Sequence, residues 1–516
     1  MRSRSPHSRP WSRTLPVAVA ATALLATTAC GAESTGASSP AGTTLTLAIL
    51  GTPNSFDPTQ LAEGQQAYVW DSIYDTLLLL DNKGELRPGA AQSWAYSADA
   101  RTLTLKLREG MAFSSGSPVN SAAVKATLDR IRTTPGPNQT DVSALSSVQA
   151  PDDHTVVLRL KEPDGSLLTS LAGNVGVIGD PKTITSSSAA LNPVGSGPYT
   201  LDKGATVNGS VYVLKRRDDY WNKKAYPFRT LKIRVIADRT AAVNALKSGE
   251  INAGSVEAGQ VGTLKGAGFG VTHVEATAAA NLVLADRAGT VLKPLADVRV
   301  RKAINMAFDR DKIVKQLLQG GGRPTIQVVN PKGPAYDPAL EQTYPYDPAK
   351  AKKLLAEAGY PGGFSVTMPG LVFTKPFEPT VTQSLADIGI KVEWDAVPAQ
   401  QSTSALLSKK YPMFLAVDGL STNSVEIRDN FGPTGFRNPF RSTDAELAEL
   451  LDRTDATLDP EKAGKLYREI NAYTVDNAWD APVFYVGTYW VTKKGISYLG
   501  DGSSTFPTVR QFGVTD

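Results

Sequence analysis

Apolar and polar positions along the chain alternate between two periods. Residues 45–50 (LTLAIL) form a β-favouring apolar run closed by Gly51-Thr52-Pro53-Asn54, which predicts a strand and then a turn. Residues 67–80 mix aromatic and aliphatic side chains at helical spacing and predict a buried helix. The alternating stretches 102–107 (TLTLKL) and 155–160 (TVVLRL) predict half-buried strands. Between them, Val124, Leu128 and Ile131 fall on one helix face, with Ser121 placed as the N-cap. Further strands are predicted at 211–216, 231–236, 365–368, 390–394 and 482–486. Helices are predicted at 239–248 (stopped by Gly249), 297–319 (one helix or a pair), 348–358, 379–385, 442–457 and 460–476.

Strands and helices alternate too irregularly for a (β/α)8 barrel, and no repeat of solenoid length is visible. The pattern therefore favours a multi-lobed α/β architecture. Boundaries are placed at the Gly- and Pro-bearing junctions near 82–89, 181–195 and 287–294. At 516 residues the chain is long enough for about three domain-sized units.

The first 14 residues are rich in Arg, Ser and Pro, and 15–25 (LPVAVAATALL) is an apolar run too short to span a membrane. Small residues and Cys30, the only cysteine, follow. A basic start, a short apolar core and small residues at a cut site make a secretory signal. Cys30 stands where a bacterial lipoprotein carries its lipid, although Thr27 replaces the aliphatic residue usual three positions earlier. The expectation is a signal peptide at 1–29, lipidation at Cys30, and a small polar tether at 30–43. That places the protein outside the cytoplasm, anchored to the outer face of the cell membrane.

The signal also changes the charge reading. The formal charge is +4, but Arg2, Arg4, Arg9 and Arg13 precede any acid. Without them the basic and acidic residues balance, which excludes a nucleic-acid polyanion binder. One cysteine excludes an internal disulfide framework or a CxxC site. Past the signal only His154 and His273 remain, and there is no HExxH, GxSxG or Walker-A motif. No metal and no cofactor are expected, and no catalytic constellation is visible. Trp70, Trp94, Trp221, Trp394, Trp479 and Trp490, with 17 tyrosines, supply rings for a core or for the walls of a solute cleft.

Five stretches resemble the family-5 extracellular solute-binding proteins, the peptide/nickel-type receptors of ABC importers. They are 86–132 (LRPGAAQSW…LREGMAFSSGSPVNSAAVKATLDRIR), 192–199 (NPVGSGPY), Asp219-Tyr220-Trp221 with 231–252, 294–340 (PLADVRVRKAINMAFDRDKIV), and 346–363 (YDPAKAKKLLAEAGYPGG). They occur in the family's order and span roughly residues 45–500.

The resemblance implies a two-lobed, periplasmic-binding-protein-like α/β fold (type II, large cluster) with an extra domain inserted in the first lobe. By analogy lobe I takes 44–82, 193–285 and 488–516, the insertion 83–192, and lobe II 286–487. It implies a monomeric, non-enzymatic receptor that binds a peptide or similar small polar solute between its lobes. The partners it implies are an ABC permease with its ATPases, with membrane contact through the lipid only. A surface lipoprotein hydrolase, or a solute sensor uncoupled from transport, is the alternative.

Two departures concern the pocket. Residues 416–426 (AVDGLSTNSVE) lack the tryptophan and the DY-x-DP aspartates of peptide-binding members, in which an aspartate there pairs with the peptide's amino terminus. Asp418 is the nearest acid, either as a substitute or as a turn residue. Ala399 stands where the family often has an aromatic. The ligand-contacting residues expected are Asn54, Ser55 and Phe56 from the first strand's loop, with Asp418, Thr422 and Asn423 from the other lobe. Gly195–Tyr199 is expected to shape a junction. A hydroxyl- and amide-lined site suits a sugar, a modified peptide or another small polar metabolite.

Overall fold

The computed structural model describes residues 43–62, 64–504 and 506–515. The signal, Cys30 and the tether up to residue 42 lie outside the described residues.

A large sheet organises the chain. Its strand order is Phe414–Gly419, Gly270–Val283, Ala481–Thr492, Ala253–Val256, Thr44–Ile49, Thr230–Val235, Val211–Arg216 and Tyr199–Leu201, with Gly322–Pro324 added on Ala481–Thr492. Thr44–Ile49 pairs in parallel with Thr230–Val235 and with Ala253–Val256. At this end Leu45, Leu47 and Ile49 turn inward to pack with Trp70, Tyr199, Phe228 and Leu231.

Gly270–Val283 and Ala481–Thr492 are long enough to serve two cores, the first a small one in which Val271 and Val491 pack with Leu246 and Leu264. Gly270 to Val274 pair with Thr492 to Thr488, and pairing resumes at Ala278 with Val486 after a register shift. Beyond the shift Ala280, Leu282 and Phe484 join a second core with Ile304, Phe308, Leu355, Leu385 and Ile390. Thr277 bridges the irregular stretch through Val486 O (3.2 Å) and Thr488 Oγ1 (2.8 Å). Gly487 sits where a Cβ would come within 2.5 Å of Gly321 O and 2.9 Å of Val274 O.

A third core belongs to the antiparallel sheet Ala91–Tyr96, Thr102–Leu107, Thr155–Leu160 and Leu145–Asp152. Leu103, Leu105 and Leu107 point to one side, as their alternation requires, and meet Val124, Leu128 and Ile131 of helix Ser121–Thr133.

Local details differ from the sequence expectations. The cap of that helix is Asn120, whose side chain accepts from Ala123 N–H at 3.1 Å; Ser121 is the first helical residue. The helix expected over 67–80 stops at Ile73 and gives way to strand Leu78–Leu80. Tertiary bonds draw the chain out there: Tyr74 donates to Phe56 O at 2.7 Å, and buried Asp75 accepts from Tyr220 Oη at 2.7 Å. Residues 297–319 form the pair Val298–Met306 and Arg310–Leu317, the second capped by Asp309.

Candidate functional site

Segments far apart in sequence enclose a cavity of about 410 Å³. Thr169, Gly173 and Asn174 line it from one side, Asp418 to Thr422 with Arg428 and Asp429 from another, and Ser503, Ser504 and Phe506 from the C-terminal stretch. Two smaller chambers share lining residues with it. One, of about 100 Å³, shares Asp418, Ser421 and Asp429 with the main cavity and adds Asn281, Glu426 and Arg437. The other, of about 120 Å³, shares Ser504 and Pro507 and adds Tyr68, Thr277, Thr488, Trp490 and Tyr498.

The wall formed by residues 418–437 follows from its own sequence. Strand Phe414–Gly419 ends at Gly419, and helix Asn423–Phe431 begins after Thr422. Glu426, in the first turns of that helix, reaches back to accept from Ser421 N–H (2.9 Å) and from Asn330 N–H (2.8 Å). It also accepts from Asn423 Nδ2 (2.8 Å), so one carboxyl ties the entry loop to the neighbouring chain. Burial pushes its pKa up to about 7, against the pull of those three donors.

Charges in the cavity are largely closed among themselves. Arg437 forms an ion pair with Asp418. Arg428 donates to Ser166 Oγ at 2.8 Å and pairs with Asp141 at 3.3 Å and Asp429 at 3.1 Å. It therefore links helix Asn423–Phe431 to the part of the chain holding the third core. Burial raises the Asp141 carboxyl, and the Arg428 charge opposes that shift.

Of the residues expected from sequence, Asp418 and Thr422 lie together on the cavity wall. Asn423 does not: it is buried and accepts from Ala335 N–H at 2.8 Å, holding the adjacent loop. Asn54, Ser55 and Phe56 line none of the three chambers. Phe56 is a core ring, edge-on to Tyr212 at 5.9 Å. Asn54 donates to Gln60 O at 2.6 Å, and Ser55 accepts from Asp57 N–H at 3.0 Å, which makes both of them turn residues. Gly195 and Gly197 permit close approach to the Ile73 backbone, where a Cβ would come within 2.1 Å and 2.6 Å. Asp141, Asn174, Arg428, Asp429 and Arg437 also line the chambers and are not among the residues expected from sequence. The density of charge in 426–437 (EIRDNFGPTGFR) was the one local signal that pointed to three of them.

Residues 85–435 match the family described as bacterial extracellular solute-binding proteins, family 5 (middle region). The chain belongs to that family. Among its relatives is the glutathione-binding protein GsiB of Escherichia coli O1:K1 / APEC, 30% identical over 451 residues, with 80% of this chain and 83% of GsiB covered. Among solved structures, the binding protein AgaA of A. tumefacien R10, in complex with agropinic acid, matches with TM-score 0.76 and 25% identity. That match covers 92% of this chain and 99% of AgaA. NikA of Brucella suis, in complex with Fe(III)-EDTA, shares the fold with TM-score 0.77 at 21% identity, covering 92% of this chain and all of NikA. Like these binding proteins, this solute-binding protein is two-lobed α/β. Among its described residues no helix is long and apolar enough to cross a membrane, and no group of three or more His, Cys, Asp or Glu is placed to hold a metal ion.

Proposed function

We propose that the protein is the extracytoplasmic receptor of an ABC importer, taking up one peptide-sized polar solute between its lobes and presenting the closed form to the permease. The observation that carries this reading is the cavity of about 410 Å³, walled by segments from residues 169–174, 418–429 and 503–507. Its size falls in the range of small-molecule sites. The lobes are taken as 44–82, 193–285 and 488–516 for the first and 286–487 for the second, with 83–192 inserted. The separate cores around Leu47, Leu105 and Ile304 support three units, with Ala280 and Leu282 packing in the Ile304 core and so with the second lobe.

The two long strands pack in a small core with Leu246 and Leu264 before their break in register near Thr277 and in the Ile304 core beyond it, which supplies a place for the lobes to rotate. Closure needs a solute that binds the closed arrangement better than the open one, so its contacts must reach both walls at once. Lipidation at Cys30 would hold a monomeric receptor at the membrane's outer face.

Calorimetric titration of the purified protein with glutathione, di- to pentapeptides and small saccharides tests the reading. One saturable site, with the solute recovered unchanged, is the expected result. Chemical conversion of the solute would point to an enzyme instead, and absence of saturable binding across all classes would refute the receptor.

A further inference from the structure

The charges around the small chamber narrow the ligand class. This argument rests on the receptor reading above. Asp418, on the wall shared by the main cavity and the small chamber, is already paired with the Arg437 guanidinium. A ligand ammonium placed there would meet a fixed positive charge and would have to displace it. A ligand carboxylate fares no better. Both guanidiniums on this wall are already engaged, Arg437 with Asp418 and Arg428 with Asp429, so none is free to take a carboxylate.

Two polar atoms on this wall are nevertheless unsatisfied. Arg437 Nη1 and Asn281 Oδ1 are buried and have no hydrogen-bond partner among the described residues. Asn281 as a whole is only 5% exposed. One is a donor and the other an acceptor, and each is satisfied by a neutral amide or hydroxyl without any added charge.

The other end of the cavity agrees. Along strand Gly270–Val283, Ala279 and Asn281 line the small chamber while Thr277 lines the aromatic one. At the rise of a strand, Thr277 and Asn281 are about 13 Å apart, a span for two or three linked residues or sugar rings. The aromatic chamber carries no charge among its described lining residues. Tyr68, Trp490 and Tyr498 provide the rings; Thr277, Thr488 and Ser255 provide hydroxyls. Trp490 and Tyr498 are stacked with centroids 4.6 Å apart, a rigid apolar wall beside those hydroxyls.

We propose that the cleft selects an uncharged, amide- or hydroxyl-bearing solute over a free-amine peptide, and that Arg437 is the specificity-determining residue because it cancels Asp418 and offers one buried N–H. Blocked peptides and small neutral oligosaccharides share this chemistry.

The test compares three ligand sets on the full protein by calorimetry: N-acetylated, C-amidated di- and tripeptides; the same peptides with free termini; and maltotriose and cellotriose. At least one neutral set should bind roughly tenfold or more tighter than the free-termini set, and whichever does so identifies the source. Arg437→Gln releases Asp418 and should move the ratio toward free-amine peptides by roughly tenfold. Arg437→Lys, which keeps the charge, should hold the wild-type preference. Melting curves establish that both variants are folded.

Free-termini peptides bound by the wild type as tightly as the neutral sets, or more tightly, would overturn the proposal and leave the receptor standing. So would an unchanged ratio in Arg437→Gln. No binding in any set would overturn the receptor reading with it.

Discussion

Glu426 shows how much one buried carboxyl can be made to do. It accepts three N–H groups and is 6% exposed, yet burial raises its pKa from 4.5 to about 7. Below about pH 4.5 the group is protonated whether the chain is folded or not. Between pH 4.5 and 7 the unfolded chain ionises while the folded chain keeps its proton, so stability falls as pH rises through that window and then levels off. The loss is on the order of 3 kcal/mol. Urea denaturation across pH 4–8 should show this slope in the wild type and a flatter one in Glu426→Gln. An unchanged slope would mean that Glu426 titrates like an exposed glutamate. Nothing in the local pattern announced this role. A glutamate in the first turns of a helix ordinarily reads as solvent-facing, and only the folded loop at residue 330 converts it into a tie. Asp418, by contrast, stands out in its segment as the acid nearest the strand end, but nothing in the sequence pairs it with Arg437. The turn after helix Asn423–Phe431 returns the chain to the end of strand Phe414–Gly419, and that return sets the pairing.

Elements with a strong period were legible, and those shaped by tertiary contacts were not. The alternation of Leu103, Leu105 and Leu107 needs only one buried face to be read correctly. The helix expected through residue 80 failed because Tyr74 and Asp75 find better hydrogen-bond partners off the helix, in Phe56 O and Tyr220. The passage of the two long strands from one core to another is equally hidden. In sequence, 482–486 looked like a short strand, whereas Ala481–Thr492 is long enough to serve two cores. Gly487 lies in this strand beside the register break. In Gly487→Ala the new methyl would meet Gly321 O at 2.5 Å, His273 Nε2 at 2.9 Å and Val274 O at 2.9 Å. Two of those atoms are backbone, so the expected cost is roughly 1–3 kcal/mol of stability, measured by urea denaturation. A neutral substitution would show that the strand pair yields easily at this point.

At the scale of the whole molecule, composition and periodicity reached a multi-lobed α/β protein without metal or nucleotide motifs, and the motif resemblance reached its family. The cavity could not be read the same way, because its walls come from segments more than 300 residues apart, such as Thr169 and Ser503. Arg428 joins two of those walls through Asp141 and Ser166. Arg428→Ala should favour the open arrangement, weakening solute binding by roughly tenfold and enlarging the radius of gyration in solution scattering. Wild-type affinity in that variant would show that the bridge adds nothing to closure.

The most direct test of the account is native mass spectrometry of the purified protein with candidate solutes, followed by release of whatever is bound. The account predicts a complex of one protein with one small polar solute, released with its mass unchanged. A chemically altered solute, or no complex with peptide, saccharide or blocked peptide at millimolar concentration, would contradict it.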